Sequence, residues 1–345
     1  MNPPLNPSGG QTTGFAGEEA CCAKLTAARA AEIPNAIHFI VVCSPSSPER
    51  PVTDIIESHW EFITSLCSFE RNFGDSGMRL FFAAALSILA LAAQTPLARK
   101  QLLLIGDEKG YRHQAISHAM STIERMGRES GLWDTHIRTD TEPLTKKKLE
   151  YNAKNLNDFD AVLFYTGGNL TMDEQQRADF LSFIRDDGKG FVGVHSASIT
   201  WVQWPEFVDL LGGTYDEHPW NTFAAPILVE DPAFPGMNLW PRAFTLTDEI
   251  YQVKGFSREN TRVLLRLDAS KLDLSGARVH RQDRDFAVAW AKMYGKGRVF
   301  YSTIGHVEEN WDRPEVQQMY REAIRWALKL VDADITPRPL PSTGN

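Results

Sequence analysis

The sequence predicts an α/β protein in which a mostly parallel sheet is covered by helices on both faces. Three observations predict this class. Short apolar runs recur after residue 99, several of them end in glycine, and amphipathic stretches separate them. Strands that are apolar along their whole length are typical of a sheet buried on both faces, and alternation with helices is typical of parallel strands.

Four strands and two helices are predicted between residues 100 and 200. The strands are KQLLLIGD (100–107), THIRTD (135–140), DAVLFYTGG (160–168) and GFVGVHS (190–196). The first helix covers about 113–130 and stops at Gly131. The second begins at Thr171, which is predicted as its N-cap, and closes at Gly188. An N-capping hydroxyl and a closing glycine are the usual signals for the two ends of a helix.

The pattern after residue 200 predicts a short helix, further strands and a final helix. WPEFVDLLGG is the short helix, and NTFAAPILVED, TRVLLRLD, FAVAWAKMY and GRVFYSTIG are the strands. The last two form a hairpin turned at Gly295-Lys296-Gly297. RPEVQQMYREAIRWALKLV is the closing helix. We see no internal boundary, so residues 99–332 are predicted to be one domain, followed by a proline-rich disordered tail at 333–345.

Composition and charge exclude some partners. The chain of 345 residues is 43% hydrophobic and 23% charged, with a formal net charge of −8. These values are ordinary for a globular protein. Because binding to a phosphate backbone requires a basic surface, we expect no nucleic-acid partner. The sequence leaves the oligomeric state open.

An internal segment has the layout of a secretory signal peptide. From Met78 it reads MRLFFAAALSILALAAQTPLARKQ, with one arginine, about a dozen apolar residues, and small residues near Ala92. Its apolar core is too short to span a membrane, so we expect no stable span in the mature form. We predict a signal peptide over 78–98, cleavage near Ala92–Ala98 and an exported protein. A buried helix is the alternative. Residues 1–77 are predicted to be a non-native upstream extension that packs poorly.

All cysteines precede this segment. They are Cys21, Cys22, Cys43 and Cys67. A mature chain that begins near residue 93 therefore forms no disulfide and cannot use a thiolate nucleophile.

Polar residues that follow strands are the candidates for function, because ligands of open parallel sheets bind at the carboxyl ends of the strands. Four stretches qualify: GYRH (110–113), TGGN (166–169), GVHSAS (193–198) and GHVEEN (305–310). The substrate-binding candidates in the first three are Arg112, His113, Gly167, Asn169 and Ser196. An arginine and a histidine just before a helix suit an anionic or polar group; the alternative is a helix cap with a solvated arginine.

His195 lies where a nucleophile elbow would present its nucleophile, on a strained turn after a buried strand. The alternative is a structural histidine that is hydrogen-bonded within the core. His306 follows another predicted strand and has Glu308 and Glu309 close in sequence, so one of these carboxylates is expected to orient it as a general base. The alternative here is an acidic surface loop. We take His195, His306, Glu308 and Glu309 as catalytic candidates.

Two further stretches are predicted as loops, YDEHPW (215–220) and LTDEIYQV (246–253). Aromatic side chains beside carboxylates suit sugars, because the ring face stacks while the hydroxyls bond to acids. His218, Trp220 and Tyr251 are therefore substrate-binding candidates, and Glu249 is a catalytic candidate. Ordinary loop residues are the alternative.

The four histidines of these loops are also candidates for a divalent metal: His113, His195, His218 and His306. No H-x-x-x-H or paired-cysteine spacing supports a metal directly. No G-x-G-x-x-G follows the first strand and no Walker A lysine is present, so we expect neither NAD nor ATP.

Taken together, these motifs resemble the trehalose-utilisation (ThuA-like) family. The resemblance covers about residues 101–329 and includes GYRHQAI, GFVGVHSAS, WPEFVDLLGGTYDEHP, DEIY and YSTIGHVEE. It implies a flavodoxin-like fold related to class I glutamine amidotransferases. In those relatives a cysteine occupies the elbow and a His-x-Glu completes a triad. By motif, His195 replaces the cysteine, and His306 with Glu308 or Glu309 corresponds to His-x-Glu. Without a cysteine, thioester glutaminase chemistry is excluded.

The resemblance also implies a small-molecule carbohydrate as partner, because the family is associated with the catabolism of disaccharides and their 3-keto derivatives. A ketone at C3 acidifies the C2 proton, which an imidazole can remove. Two hypotheses follow. The first is an exported enzyme that uses His and carboxylate acid–base chemistry as a hydrolase, lyase or isomerase. The second is a non-catalytic sugar- or partner-binding domain on a degenerate amidotransferase fold. The first predicts that the four histidines converge; the second predicts that they scatter or are hydrogen-bonded in the core.

Overall fold

The computed structural model of the protein describes residues 98–340. The predictions made for residues 1–97, an upstream extension and a signal peptide, lie outside the described residues. Within the described part of the chain, no helix is long and apolar enough to cross a membrane.

The first half of the described chain alternates strands with helices. Its elements are β1 (Lys100–Ile105), α1 (Ala115–Ser130), β2 (Trp133–Arg138), β3 (Ala161–Phe164), α2 (Glu174–Arg185) and β4 (Gly190–Val194). The predicted N-cap of α2 is wrong. Asp173, rather than Thr171, accepts a hydrogen bond from the backbone N–H of Gln176, whose side chain accepts in return from the N–H of Asp173. This reciprocal capping box satisfies two donors at once, which a lone threonine cannot do.

The second half contains more strands than the sequence predicts. Its elements are α3 (Pro205–Leu211), β5 (Thr214–Glu217), β6 (Thr222–Val229), β7 (Ala243–Glu249), β8 (Gln252–Lys254), β9 (Arg262–Leu267), β10 (Ala287–Tyr294), β11 (Gly297–Ser302) and α4 (Pro314–Ala327). The hairpin of β10 and β11 is confirmed, since Tyr294 pairs with Gly297. The prediction of loops over 215–220 and 246–253 is wrong in part, because β5, β7 and β8 begin or end there.

The central sheet has nine strands in the order β2-β1-β3-β4-β11-β10-β9-β6-β7. The first five strands in this order pair in parallel, and the remaining pairs are antiparallel. Following these pairings across the sheet, only β10 and β6 run opposite to the rest. The predicted large, mostly parallel α/β sheet is therefore confirmed. Strands β5 and β8 form a separate antiparallel pair.

The core is divided between two hydrophobic clusters that take alternate residues of the strands. Leu102 and Leu104 of β1 pack in one cluster together with apolar residues of α1 and α4. Leu103 and Ile105 pack in the other together with residues of α2 and α3. Because successive side chains of a strand point to opposite faces, the two clusters lie on opposite faces of the sheet.

The segment after α4 keeps contacts with the domain. A disordered tail is expected from residue 333, but Ala333 and Ile335 pack against the core, and the guanidinium of Arg262 donates to the carbonyl of Thr336. The described chain ends at residue 340.

Strand direction determines where the candidate residues meet. β1, β4, β7 and β11 all run in the same direction, so their carboxyl ends lie along one edge of the sheet. The segments that follow these four strands carry His113, His195 and His306, and β7 itself ends at Glu249. The fold therefore places Glu249 of β7 beside the loops that follow β1, β4 and β11.

Candidate active site at the carboxyl ends of four strands

Four side chains from these four segments form one cluster, which we call the His₃Glu cluster. It consists of His113, His195, Glu249 and His306, and one nitrogen or oxygen atom of each lies within 4.8 Å of those of the others. The rings of His113 and His195 are 4.7 Å apart, and those of His113 and His306 are 5.1 Å apart. Three of the four histidines singled out in the sequence thus converge.

His195 occupies the sharp turn directly after β4. Its φ is +43°, in the left-handed region that non-glycine residues rarely adopt. Gly193 permits the close packing below this turn, because a Cβ there would lie 2.9 Å from side-chain atoms of Leu211 and Tyr301. Backbone strain of this kind is typical of functional turns. The strained turn therefore has the backbone conformation of an elbow, with a histidine as its presented residue.

The His195 ring is enclosed rather than open to a pocket. Its Nδ1 lies 2.6 Å from the carbonyl oxygen of Thr303 and its Nε2 lies 2.7 Å from the hydroxyl of Tyr251, and the side chain is fully buried. A carbonyl oxygen only accepts, so Nδ1 carries a proton. Burial lowers the pKa of His195, which favours the neutral ring. A sugar cannot touch this ring while Tyr251 is in place.

A buried carboxylate holds His113. Glu108 Oε1 lies 2.5 Å from His113 Nδ1, and Oε2 accepts from the backbone N–H of His113 at 2.7 Å. The hydroxyl of Ser196 donates to the same carboxylate at 2.8 Å. Burial alone would raise the pKa of Glu108, but the contacts with His113 outweigh it and lower the pKa. Glu108 is therefore ionised and fixes the orientation of the imidazole, as carboxylates do behind functional histidines.

Glu249 lies between three histidines. Its Oε2 is 3.2 Å from His306 Nδ1 and 3.5 Å from His195 Nε2, and its Oε1 is 3.8 Å from His218 Nδ1. Burial would raise the pKa of Glu249, but the contacts with His195 and His306 outweigh it and lower the pKa well below its usual range. The site therefore contains a carboxylate that stays ionised.

His306 is held by its loop as well as by Glu249. Its Nδ1 lies within ion-pair distance of Glu249 Oε2 but is not aligned as a hydrogen bond, so this buried atom has no hydrogen-bond partner within residues 98–340. The loop backbone is anchored by Asp248, which accepts from the N–H groups of Gly305 and Val307. The Glu249 carboxylate raises the pKa of His306.

His218 lies at the rim, outside the His₃Glu cluster. Its side chain is 32% exposed, and its Nδ1 is 3.8 Å from a carboxylate oxygen of both Glu217 and Glu249. That nitrogen is buried and has no hydrogen-bond partner in the part of the chain that the structure describes. The geometry thus leaves His218, a sequence candidate for a metal, beside the cluster instead of within it.

The structure places the other sequence candidates at varying distances from the cluster. Glu308 is exposed and lies 3.5 Å from His118 on α1, and Glu309 is exposed as well. The carboxylate beside His306 is therefore Glu249, not the neighbour in sequence. Trp220 packs against Phe223 and Phe286 and is not among the cluster contacts.

Gly167 and Arg112 lie near Glu108. Gly167 forms an isolated parallel bridge with Glu108, and a Cβ there would be 3.6 Å from the Glu108 carboxylate. Arg112 lines a cavity of about 240 Å³ at the end of β1, which Glu108 also lines. Asn169 is exposed.

Sequence reasoning missed three residues that shape the site: Glu108, Tyr111 and Thr303. Tyr111 is 70% exposed and its ring lies 6.2 Å from that of His306, in a stacked orientation. Glu108 and Tyr111 lie in or beside GYRH, just after a predicted strand, so their position was a usable signal. The Thr303 carbonyl that contacts His195 Nδ1 belongs to the backbone, so the sequence carries no signal for this contact.

The donor set is suited to a metal ion as well as to proton transfer. Three imidazoles and a carboxylate are ligands that first-row transition ions accept. The His113 and His195 rings each have Nδ1 engaged by an oxygen, which leaves Nε2 as the ligand atom. The arrangement can therefore bind a cation or move protons.

The fold and the histidine elbow define a class of protein before any comparison. They define an α/β protein whose largely parallel sheet carries a histidine on a strained turn after β4, a second histidine after the neighbouring strand β11, and a carboxylate at the end of β7. The chain belongs to the ThuA family, described as trehalose utilisation, whose match covers residues 101–327. No curated protein matches the chain.

Solved structures support the same fold. A ThuA-like protein of Bacteroides uniformis is 21% identical, with a TM-score of 0.54, and the match covers 67% of this chain and 92% of that one. A ThuA-like protein of Parabacteroides merdae is 16% identical, with a TM-score of 0.52, and the match covers 71% and 94%. At these identities the similarity establishes the fold alone.

Proposed function

We propose that this protein is an enzyme of carbohydrate catabolism that removes the C2 proton of a 3-keto sugar derived from a disaccharide. The family description, trehalose utilisation, supports the substrate class. One observation carries the reaction type: an ionised carboxylate, Glu249, lies within 4 Å of three histidines at the carboxyl edge of the sheet. Acid–base catalysis needs imidazoles that carboxylates hold in this way.

Accessibility decides which histidine acts as the base. His195 is fully buried and both of its ring nitrogens are hydrogen-bonded, so it cannot act as the base. Its role is to position Tyr251 and to contact Glu249. His218 is the most exposed histidine of the group, and its Nδ1 is unpartnered. We therefore assign the proton transfer to His218 and the binding of the developing oxyanion to the His₃Glu cluster.

The proposed reaction conserves atoms and electrons. His218 takes the C2 proton, and the electron pair of the C2–H bond forms a C2=C3 enolate with its negative charge on the C3 oxygen. When the C3 carbonyl re-forms, a C1=C2 double bond forms and the C1–O bond breaks. The departing oxygen takes back the proton from His218. Return of a proton to the opposite face of C2 would instead give the C2 epimer, an isomerisation.

An exposed aromatic ring is the proposed platform for the sugar. Tyr111 lies over the cluster, with its ring centre 4.8 Å from that of His113 and 6.2 Å from that of His306. An aromatic face covers the apolar face of a sugar ring at little entropic cost. Arg112, next to Tyr111 and at the neighbouring cavity, is placed to donate to hydroxyl groups.

One observation favours the alternative, a non-catalytic binding domain. His195 has the full burial and the two hydrogen bonds that are expected of a structural histidine. The unpartnered nitrogens of His218 and His306 weigh against it, because a purely structural core normally satisfies its buried polar atoms.

Hydrogen exchange at C2 separates these two functions. Wild-type protein is incubated in D₂O with a 3-keto glucoside, and the C2 proton is followed by ¹H NMR. The enzyme hypothesis expects loss of the C2 signal or cleavage of the C1 substituent far above the buffer rate. The unoxidised disaccharide is the control, because its C2 proton is not acidic. Binding of the keto sugar with neither exchange nor cleavage would support the binding domain instead.

We further propose that the mature protein is exported. The proposal depends on the segment over 78–98 and on the absence of cysteine after it. The test expresses the chain from Met78 and determines both the N-terminus and the cellular fraction. We expect a new N-terminus near Ala92–Ala98 and recovery outside the cytoplasm; an intact N-terminus in the cytoplasm would disprove export.

A further inference from the structure

We propose that His113, His195, His306 and Glu249 bind one divalent cation of the first transition row, such as Zn²⁺. The binding site is argued from its own geometry. Only the use of the cation in catalysis rests on the proposed function, where it would stabilise the enolate oxygen as a Lewis acid. Such help is needed because an enolate formed beside the ionised Glu249 would otherwise face a like charge.

The first argument is the convergence of donors from distant segments. One donor atom from each of the four residues lies within 4.8 Å of the others, and each residue follows or ends a different strand. Around a tetrahedral zinc ion, two ligand atoms that each lie about 2.1 Å from it are about 3.4 Å apart. The most widely spaced donor atoms therefore need to approach each other by at most about 1.4 Å around an ion.

The second argument is that an oxygen atom holds the Nδ1 atom of two of the imidazole rings, those of His113 and His195. His113 Nδ1 is held by the Glu108 carboxylate at 2.5 Å, and His195 Nδ1 is held by the Thr303 carbonyl at 2.6 Å. Metal-binding histidines almost always donate their second ring N–H to a carboxylate or backbone carbonyl, which fixes the tautomer and raises the basicity of the ligand nitrogen. Ser196 and the backbone N–H of His113 hold Glu108 in its turn.

The third argument is an unsatisfied atom in the centre of the cluster. Among the described residues, the buried His306 Nδ1 has no hydrogen-bond partner, although Glu249 Oε2 lies 3.2 Å away. An unpaired buried nitrogen is costly. A cation between the two groups would satisfy both.

The enclosure of His195 fits a cation better than a sugar. An ion can reach a fully buried ring, but a sugar cannot. Binding at His195 Nε2 displaces the hydroxyl of Tyr251, which lies 2.7 Å from that nitrogen in this structure. The phenol then lies next to the ion. With Glu249 and His306 engaged as ligands, proton transfer remains with His218, which is outside the His₃Glu cluster.

The chemistry of the donors selects the class of ion. Imidazole suits zinc, iron, copper and nickel, whereas Mg²⁺ and Ca²⁺ prefer shells made entirely of oxygen. Three nitrogens and one carboxylate therefore favour a transition ion over the alkaline-earth ions. No cysteine follows residue 67, so no thiolate competes within the domain.

The test measures metal binding directly. The purified full chain, with Cys21, Cys22, Cys43 and Cys67 replaced by serine so that no thiolate competes, is freed of metal with a chelator and dialysed. Zn²⁺ alone is titrated by calorimetry, and Co²⁺ alone is titrated in parallel and followed by its visible absorption. We expect one equivalent of tight binding and a Co²⁺ spectrum typical of mixed nitrogen and oxygen ligands. Mg²⁺ is the contrast ion and should not compete at equal concentration.

Two variants identify the ligands. His113→Asn preserves a donor to Glu108 but removes the Nε2 ligand, and Glu249→Gln removes the carboxylate. Each should weaken Zn²⁺ binding by at least about 10- to 100-fold. His280→Asn is the matched control, because His280 also bonds to a carboxylate, that of Asp216, but lies outside the cluster; it should retain wild-type affinity. Circular dichroism establishes that each variant is folded, and an unfolded variant is replaced by His306→Asn.

The outcomes separate this inference from the proposed function. Wild-type protein that binds less than about a tenth of an equivalent at micromolar Zn²⁺, or variants that bind as tightly as wild type, would overturn the cation site. Full turnover of a 3-keto sugar by the chelated protein would overturn its catalytic use while leaving the proposed enzyme intact. Stoichiometric, variant-sensitive binding without turnover on any sugar would confirm the site and reject the enzyme.

Discussion

The buried carboxylate of Asp248 joins the end of β7 to the loop that carries His306. Its Oδ2 accepts from the N–H of Gly305 at 2.9 Å, and its Oδ1 accepts from the N–H of Val307 at 3.0 Å and from that of Glu249 at 2.9 Å. These bonds fix the loop beside Glu249. Asp248 therefore sets the position of two members of the cluster from a fully buried position.

Asp248→Asn should destabilise the fold and loosen the site. The amide has one acceptor oxygen, and its NH₂ group would face backbone donors, so at least one buried N–H would lose its partner. We expect a loss of about 1–3 kcal/mol in the free energy of unfolding, measured by urea denaturation. Asp312→Asn is the control, because Asp312 lies on the surface beside His118, and should stay within about 0.5 kcal/mol. Equal stability of the two variants would contradict this role.

Glu249, rather than a neighbour of His306 in sequence, should be the essential carboxylate. Glu249→Gln removes the charge that lies 3.2 Å from His306, so turnover of a 3-keto sugar should fall by about 100-fold or more. Glu309→Gln changes an exposed residue and should stay within about twofold of wild type. Initial rates at saturating substrate measure both. A reversed order would return the role to the His-x-Glu position of the amidotransferases.

Tyr111 should contribute to binding more than to chemistry. Tyr111→Ala removes the exposed ring over His113 and His306, and an aromatic stack contributes about 0.5–1.5 kcal/mol. We expect KM to rise by about 2- to 10-fold while kcat changes little. Tyr111→Phe keeps the ring and should resemble wild type. Tyr151→Ala, at another highly exposed tyrosine, is the control for surface effects. A fall in kcat alone would argue against a platform.

Much of the fold could be predicted because its strands are apolar throughout. β3 and β4 consist wholly of buried residues, and four of the six residues of β1 and five of the six residues of β11 are buried. β7 was missed because its exposed and buried residues alternate and charged residues close it, so TDE was interpreted as a loop. The pairing of β7 with β6 stabilises the strand, although its sequence pattern does not predict one.

The site was predictable where a residue directly follows a parallel strand. This rule found His113, His195 and His306. It could not assign the carboxylate partner of His306 correctly. Glu249 ends β7, which lies four positions further across the sheet than β11. The proximity of Glu249 to His306 therefore depends on the folded chain and cannot be read from the sequence. Sequence proximity favoured Glu308 and Glu309, which point away towards solvent or His118.

His195→Asn should lower the free energy of unfolding by more than the prediction of an accessible elbow histidine implies. A functional histidine facing a pocket would tolerate the change within about 1 kcal/mol. In the structure the ring is fully buried, and asparagine can keep the donor to Thr303 but cannot reach Tyr251. We expect a loss of about 1–3 kcal/mol in the free energy of unfolding. Turnover should fall further than the folded fraction does; a loss of activity proportional to unfolding would make His195 purely structural.

His218→Asn should separate proton transfer from cation binding and from folding. The side chain lies at the rim and its Nδ1 has no hydrogen-bond partner, so its removal leaves no buried group newly unpaired. Stability should therefore stay within about 0.5–1 kcal/mol of wild type. Because the base is lost, exchange of the C2 proton should fall by about 100-fold or more. His280→Asn, at a histidine outside the cluster, is the control and should exchange at the wild-type rate.

The combination of readouts makes the His218→Asn result decisive for the mechanism. A metal ligand would lose affinity for Zn²⁺ together with activity, whereas a base outside the cluster should lose exchange at unchanged Zn²⁺ stoichiometry. A substrate-binding residue would raise KM and keep kcat, whereas a base should lower kcat. Unchanged exchange in a folded variant would remove His218 from the reaction, and the base would then have to be one of the cluster histidines, of which His306 is the most exposed.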